Sequence, residues 1–318
     1  MTTTRNRILP HQSEKLFLTD AGFETWLLFV KGFDLPQFAA FPLLENQKAR
    51  TAMHEYFSGF LALARKNNAG FILDTCTWRA NPDWAKLLGY DLDRLADANR
   101  NAVRFAETLR KDFGASLNVL INGAIGPRGD GYQAGQAMSV SEAEAYHSFQ
   151  VDVLAHSKAD MVSAITMTNA NEAMGVSRAA YNADIPCVIS FTLETDGRLP
   201  SGQSLDEAIQ ETDSHHASRP AYYMINCAHP DHFTTMLGGA SDWVNRIHGV
   251  RANASRMSHA ELDVCEVLDD GNPQELGKLS ADLRQVLPKL NVFGGCCGSD
   301  HRHVEHMCHA LGQMPAAT

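Results

Sequence analysis

Eight short apolar segments alternate with helical patterns along the chain, and they constrain its fold more than any other feature. The segments are residues 16–20, 71–75, 119–123, 161–166, 186–192, 222–226, 243–250 and 290–293. Strands that alternate eight times with helices are typical of a single (β/α)8 barrel. No glycine-rich dinucleotide motif follows the first segment, which disfavours a doubly wound sheet. We therefore predict an α/β protein with a (β/α)8 TIM barrel, forming one domain over residues 1–318 with an ordered core at about 14–312.

Two local signals refine the helices of this prediction. Apolar residues at helical spacing predict a long helix over residues 45–67. Ser141 and Glu144 match the Ser-x-x-Glu capping box, which predicts the start of a helix that runs to residue 157. In a barrel of this kind the loops after the strands meet at one face, so the active site is expected at the C-terminal ends of the strands.

Composition and charge indicate the kind of partner. The 318 residues are 44% hydrophobic and 20% charged, with a net charge of −10, and the basic residues are scattered. This pattern disfavours a nucleic-acid partner or an anionic membrane surface and favours small molecules. No run of eighteen apolar residues occurs, and the first residues lack the apolar core of a signal peptide. We expect a cytoplasmic protein; oligomerisation is possible but cannot be read from the sequence.

The stretch from Gly294 to Gly298, Gly-Gly-Cys-Cys-Gly, follows the last predicted strand and is the strongest candidate for a functional site. Its glycines allow the backbone to bend so that Cys296 and Cys297 face one point. Cys227 ends the sixth predicted strand, and strand ends converge in a barrel. Three thiolates hold Zn²⁺ and leave a fourth position open, as catalytic sites do. The other four cysteines are expected to be buried apolar residues, namely Cys76, Cys187, Cys265 and Cys308.

The open position of such a zinc site suits a soft ligand, and a substrate thiol is the natural choice. Zn²⁺ deprotonates a thiol that it coordinates, so the predicted nucleophile is a zinc-activated substrate thiolate and no separate general base is assigned. The chemistry that this suggests is alkyl transfer to sulfur.

Four motifs occur in order at predicted strand ends: Asp20-Ala21-Gly22, Gly126-Pro127-x-Gly129, Asn226-Cys227 and the glycine-cysteine turn 294–298. Together they resemble the homocysteine S-methyltransferase family, which includes betaine-homocysteine methyltransferase, over about residues 16–303. The resemblance implies a (β/α)8 barrel, Zn²⁺ held by the three cysteines, and methyl transfer to a thiol, by default homocysteine. Because no cobalamin or folate domain is recognised, it also implies a small donor: S-methylmethionine, S-adenosylmethionine or a betaine-like onium compound.

The chain departs from this family pattern at two places. Ile165 stands where the family carries a glutamate that helps to bind the amino group of homocysteine, and Glu24 stands where the family has a small or apolar residue. Our hypothesis is that Glu24 partly replaces the missing carboxylate, or that the acceptor is another thiol. The predicted substrate-binding residues are Asp20, Gly22, Glu24, Arg79, Thr166 and Asn226.

Two charged residues near the end of the second predicted strand are further candidates for substrate contacts. Arg79, in the loop after the second strand, is a candidate for a substrate carboxylate, because guanidinium groups bind carboxylates bidentately. Asp74 ends the same strand and is equally consistent with a substrate contact or a helix cap.

Two alternative functions stay open: an onium demethylase that uses a different thiol, and a non-catalytic zinc-binding or thiol-sensing barrel.

Overall fold

The computed structural model describes residues 7–114, 116–132, 138–237 and 242–312. The ends of the predicted domain, residues 1–6 and 313–318, lie outside these ranges. Eight parallel strands form a closed barrel in which each strand pairs with its neighbours in sequence and β1 pairs with β8. The strands are β1 Phe17–Leu18, β2 Gly70–Asp74, β3 Val119–Ile125, β4 Met161–Met167, β5 Cys187–Thr192, β6 Tyr222–Asn226, β7 Ile247–Ala252 and β8 Val292–Gly295. The predicted (β/α)8 barrel is confirmed.

Helices surround this barrel and include three short ones in the loops that follow the strands. They are α1 Phe23–Thr25, α2 Gln47–Lys66, α3 Pro82–Leu87, α4 Leu92–Asp112, α5 Val140–Ala155, α6 Ala170–Asn182, α7 Leu205–Asp213, α8 His259–Asp263, α9 Pro273–Asp282 and α10 His301–Gly312. In the described residues, no helix has both the length and the apolar character needed to cross a membrane.

Two apolar cores follow from the alternation of side chains along each strand. One lies inside the lower half of the barrel, where residues such as Phe17, Ile72 and Tyr222 are fully enclosed. The larger one lies between the strands and the outer helices. The N-terminal segment covers the lower end, because the Asn291 side chain donates to the carbonyls of Pro10 and Ser13. The opposite end, where the strands finish, therefore holds the accessible cavities.

Three sequence-based boundaries are wrong in detail. The capping box at the start of α5 uses Ser139 and Glu142 instead of Ser141 and Glu144. The first strand is only Phe17–Leu18, which leaves Asp20 in the loop above the barrel. The seventh strand begins at Ile247, because Asp242–Arg246 forms a 3-10 helix. This last shift places Arg251 inside β7, with its side chain in the barrel mouth.

Candidate active site

The three predicted metal-ligating cysteines meet at the mouth of the barrel. Cys227 follows β6, and Cys296 and Cys297 follow β8, and their sulfur atoms all lie within 4.8 Å of one another. The backbone holds them there: the Cys296 N–H donates to the Ala252 carbonyl at 2.8 Å, and the Ala254 N–H donates to the Cys297 carbonyl at 3.2 Å. The convergence that strand-end placement predicts is thus present in the structure.

Cys227 and Cys296 are joined as a disulfide in this structure, whereas Cys297 is a free thiol. All three cysteines were expected to be thiolates, and this pair was not predicted from the sequence. The physical reason is that β6 and β8 bring their Cα atoms to 5.4 Å, within the range that a disulfide spans. Reduction of the bond is therefore required before all three sulfurs are available to a metal.

The reduced cysteines fit a zinc ion by their chemistry and spacing. Thiolates are preferred zinc ligands, and three sulfurs that can converge on one point satisfy three of its four tetrahedral positions. Burial raises the pKa of the Cys297 thiol in the metal-free chain, so a bound cation is needed to hold it as a thiolate near neutral pH. Of the remaining cysteines, Cys76, Cys187 and Cys308 are buried as expected, but Cys265 is partly exposed.

Polar side chains that were not predicted from the sequence support the Cys227 turn. Cys227 itself has a positive φ of 54°, which is unusual for a residue other than glycine. Its carbonyl oxygen is 2.5 Å from His259 Nε2 and accepts a hydrogen bond from Asn253 Nδ2 at 3.2 Å. The His259 ring in turn packs against the Tyr132 ring, with centroids 4.4 Å apart and the planes tilted by 44°, and the Tyr132 hydroxyl lies 3.7 Å from the sulfurs of Cys227 and Cys297. Tyr132 belongs to the loop after β3, and that position on the catalytic face was the available signal.

A small inner cavity of about 70 Å³ lies beside the sulfurs, over the strand ends. Its lining brings together four predicted substrate-binding residues with Asp74, for which a substrate contact or a helix cap was expected, and with Arg251, which was not predicted. The lining includes Asp20, Gly22, Glu24, Thr166, Asp74 and Arg251, besides the three cysteines. Ile165 also lines it and contributes no polar side-chain atom.

Gly22 is required for the close approach of the first loop to the cysteine turn. A Cβ atom at this position would lie 2.7 Å from the Cys296 carbonyl oxygen, closer than side-chain atoms approach. The Gly22 N–H donates to the Ser299 carbonyl, on the far side of the same turn. Gly22 therefore positions the cysteine turn as well as lining the cavity.

Asn226 acts on the cavity through Thr166. It is fully buried: its side-chain oxygen accepts from the Thr166 N–H at 3.0 Å, and its amide donates to the Thr166 hydroxyl at 2.8 Å. Thr166 has a φ of 67° and lies where the pairing of β4 with β5 shifts its register. The structure therefore places Asn226 behind the cavity wall, where it holds this irregular residue, while Thr166 lines the cavity directly.

A second, outer cavity of about 380 Å³ opens beyond the inner one, and Cys297, Trp78 and Tyr132 line both. Arg79 lies here and does not line the inner cavity. Its guanidinium is sandwiched between the rings of Trp78 at 4.2 Å and Trp84 at 3.9 Å, and it donates to the Gly129 carbonyl at 2.9 Å. Arg79 is 6% exposed, and its buried Nε has no partner in the described residues. Its guanidinium therefore contributes a positive charge to the wall of the outer cavity.

Burial dominates the electrostatics of the inner cavity. It raises the pKa of Glu24 to about 7, although the backbone N–H of Glu24 and the Arg251 charge act in the opposite direction. It also raises the pKa of Asp20 to about 8, again with Arg251 opposing and Asp74 assisting the rise. Glu24 is therefore balanced between its protonated and ionised forms near neutral pH.

The raised pKa of Glu24 predicts a pH dependence of stability. Since the folded chain keeps the Glu24 proton up to about pH 7 and the unfolded chain only to about 4.5, the free energy of unfolding should fall as pH rises through this window. Glu24 should account for a decrease in the free energy of unfolding on the order of 3 kcal/mol across this window. Denaturant unfolding of Glu24→Gln at pH 4.5 and pH 7 should show a smaller decrease than the wild type. Glu55→Gln, at an exposed position in α2, is the control and should follow the wild type. Parallel curves for Glu24→Gln and the wild type would contradict the prediction.

The closed barrel and its mouth define a (β/α)8 protein with a three-cysteine centre in an inner cavity that adjoins an outer one. Comparison with known proteins specifies the family. The homocysteine S-methyltransferase family matches residues 18–311, and the chain belongs to this family.

Individual relatives agree with this assignment. The chain is 24% identical over 190 residues to Homocysteine S-methyltransferase 3 of Arabidopsis thaliana, covering 58% of this chain and 52% of that protein. The chain thus spans about half the length of this curated relative. The Escherichia coli homocysteine methyltransferase MmuM is similar in structure. Its oxidized form has a TM-score of 0.74 at 19% identity, over 96% of this chain and 99% of that one. Its metallated form has a TM-score of 0.69 at 18% identity, over 95% and 97%. These TM-scores show a shared fold.

Proposed function

We propose that this protein is a zinc-dependent methyltransferase that transfers a methyl group from a small onium donor to a thiol acceptor, by default homocysteine. The donor class comprises S-methylmethionine, S-adenosylmethionine and betaine-like compounds. The observation that carries the proposal is that the three cysteines line the inner cavity while Cys297 also lines the outer one, since methyl transfer needs a thiol and a donor on opposite sides of one point. Membership of the homocysteine S-methyltransferase family supports it, and so does the metallated form known for MmuM.

In this proposal Cys227, Cys296 and Cys297, once reduced, hold the zinc ion. Zn²⁺, when bound, lowers the pKa of a coordinated thiol so that it reacts as a thiolate. The inner cavity encloses the rest of the acceptor, and its small volume of about 70 Å³ excludes bulk water from the sulfur.

The outer cavity suits the donor. The aromatic side chains of Trp78, Trp84 and Tyr132 line it, and aromatic rings attract onium cations. Arg79 also lines this cavity, and its positive charge can attract a donor carboxylate, as in S-methylmethionine or a betaine. In the reaction the acceptor sulfur forms a bond to the methyl carbon while the bond from that carbon to the onium sulfur or nitrogen breaks. The electron pair of the broken bond stays on the donor heteroatom. The main contribution of the chain is orientation of the two substrates.

A donor-by-acceptor assay tests this function. Reduced, zinc-loaded protein is incubated with methyl-deuterated onium donors and a panel of thiols, and the methylated thiol is detected by mass spectrometry. We expect a labelled thioether with at least one donor, and no product after zinc is removed by a chelator. Loss of the donor methyl group to a thiol other than homocysteine would support the demethylase alternative. Zinc binding without transfer from any donor would show a non-catalytic barrel and contradict the proposal.

A further inference from the structure

The inner cavity contains four charged side chains, and three of them are already joined to one another. Arg251, in β7, contacts Asp20 through Nη2 at 2.5 Å and contacts Asp74 through Nη1. Asp74 also accepts a hydrogen bond from Asn122 Nδ2 at 2.7 Å, and the Tyr56 hydroxyl lies 3.5 Å from Asp20. These contacts engage both aspartates, and Arg251 is 7% exposed. Asp20, the aspartate of the first loop, therefore already has a cationic partner.

Glu24 is the fourth charged side chain and differs from the other two carboxylates. It belongs to the short helix α1 and lines the inner cavity. Across the described part of the chain, no side chain lies within hydrogen-bond or ion-pair distance of its carboxylate. The nearby positive charges of Arg251 and Arg79 act on it only over longer distances. Glu24 is thus a carboxylate that faces the cavity without a side-chain partner.

The hydroxyl groups of the inner cavity are already engaged in hydrogen bonds. Thr25 donates to the Gly22 carbonyl at 2.9 Å, Thr75 lies 2.6 Å from the Thr77 hydroxyl, and Thr166 accepts from Asn226. Three carboxyl groups share one guanidinium in the cavity, so the described lining is short of positive charge. A buried carboxylate is stabilised when a cation pairs with it, and the missing cation is therefore expected from a ligand.

We propose that Glu24, and not Asp20, receives the ammonium group of the thiol acceptor, so that the acceptor class is an aminothiol. The inference rests on the proposed function, because it takes the inner cavity to be the acceptor site. The thiol of such an acceptor lies at the cysteine cluster and its ammonium group at Glu24, on the side of the cavity formed by the first loop. Because the ammonium group is then bound on the first-loop side, no charged side chain is required at Ile165, on the β4 side of the cavity.

A matched pair of thiols isolates the ammonium group. Homocysteine and 4-mercaptobutanoate have the same carbon chain, carboxylate and thiol, and differ only in the amino group. Their dissociation constants are measured by isothermal titration calorimetry with reduced, zinc-loaded protein. The wild type should bind homocysteine more tightly by about 10- to 100-fold, the size expected for a hydrogen bond to a charged group. In Glu24→Gln this preference should fall to within about threefold, with 4-mercaptobutanoate bound as in the wild type.

A spectroscopic readout separates ammonium recognition from sulfur ligation. In Co²⁺-loaded protein, 4-mercaptobutanoate at saturation should change the metal absorption equally in the wild type and in Glu24→Gln. The double variant Glu24→Gln, Ile165→Glu moves the carboxylate across the cavity and should restore part of the preference for homocysteine. Glu55→Gln is the matched surface control and should keep the full preference.

The outcomes distinguish this inference from the proposed function. A wild type that binds the two thiols equally, or a Glu24→Gln variant that keeps its preference for homocysteine, would overturn the assignment of Glu24 even where methyl transfer is observed. Conversely, a preference that depends on Glu24 in a protein without methyl transfer from any donor would support the assignment and overturn the methyltransferase proposal.

Discussion

Replacement of Cys296 by alanine is expected to remove bound zinc and methyl transfer together. Cys296 supplies one of three sulfurs that lie within 4.8 Å of one another, and two thiolates cannot complete a stable tetrahedral site. Changing residues that merely orient metal ligands costs about 10- to 100-fold in affinity, so loss of a ligand should exceed about 100-fold. The measurement is competition with a chelator of known zinc affinity on reduced protein, followed by metal analysis and the deuterium-transfer assay.

Cys308→Ala provides the control for this variant. Cys308 is a buried cysteine in α10 and is not part of the cluster, so its removal tests the general effect of losing a thiol. It should retain stoichiometric zinc and wild-type methyl transfer. Methyl transfer that persists in zinc-free Cys296→Ala would refute the zinc-dependent mechanism, whereas equal zinc loss in both variants would show that the metal is not held at the cluster.

The barrel and its cysteine cluster were predictable from sequence for the same physical reason. Strands of a parallel barrel are buried on both faces, so they stand out as continuous apolar runs, and their ends all meet at one mouth. Cys227 and the pair Cys296–Cys297 directly follow such runs, which was enough to bring them together. The oxidation state did not follow, because thiolate ligands and a disulfide require similar separations between cysteines.

Features that depend on tertiary contacts were harder to predict. The overlapping Ser-x-x-Glu matches at Ser139 and Ser141 are equivalent as local patterns, and only the structure shows that α5 starts after Ser139. Tyr132 and His259 reach the cluster from loops, which have no periodic pattern to place them. The ion pair of Arg251 with Asp74 joins residues 177 positions apart, and no local signal connects them.

Replacement of Arg251 by methionine is expected to destabilise the protein by roughly 3–5 kcal/mol at neutral pH, as removal of one partner of a buried ion pair does. Methionine preserves much of the side-chain volume, so the loss reports the charge. Without the guanidinium, Asp20 and Asp74 remain buried beside each other at the barrel mouth with no cation in contact. Denaturant unfolding of metal-free, reduced protein measures the effect.

The sign of the pH dependence follows from these two carboxylates. Loss of Arg251 removes the charge that opposes the raised pKa of Asp20, so the pKa in the folded variant should rise further. A carboxyl group whose pKa is raised by folding contributes stability at low pH and loses it as pH rises. The deficit of Arg251→Met relative to the wild type should therefore be smaller at pH 5 than at pH 8. A deficit independent of pH would indicate lost packing instead of uncompensated charge.

Arg302→Met is the matched control, because Arg302 also pairs with two aspartates, Asp270 and Asp300, but on the surface. Its side chain is 57% exposed, against 8% for Arg251. Exposed ion pairs contribute about 0–1 kcal/mol, so this variant should be nearly as stable as the wild type.

The triple variant Asp20→Asn, Asp74→Asn, Arg251→Met removes all three charges and should recover much of the loss, since the cost of the single variant lies in the two carboxylates that it leaves unpaired. No recovery in the triple variant would show that Arg251 stabilises the barrel mouth by its contacts and not by its charge.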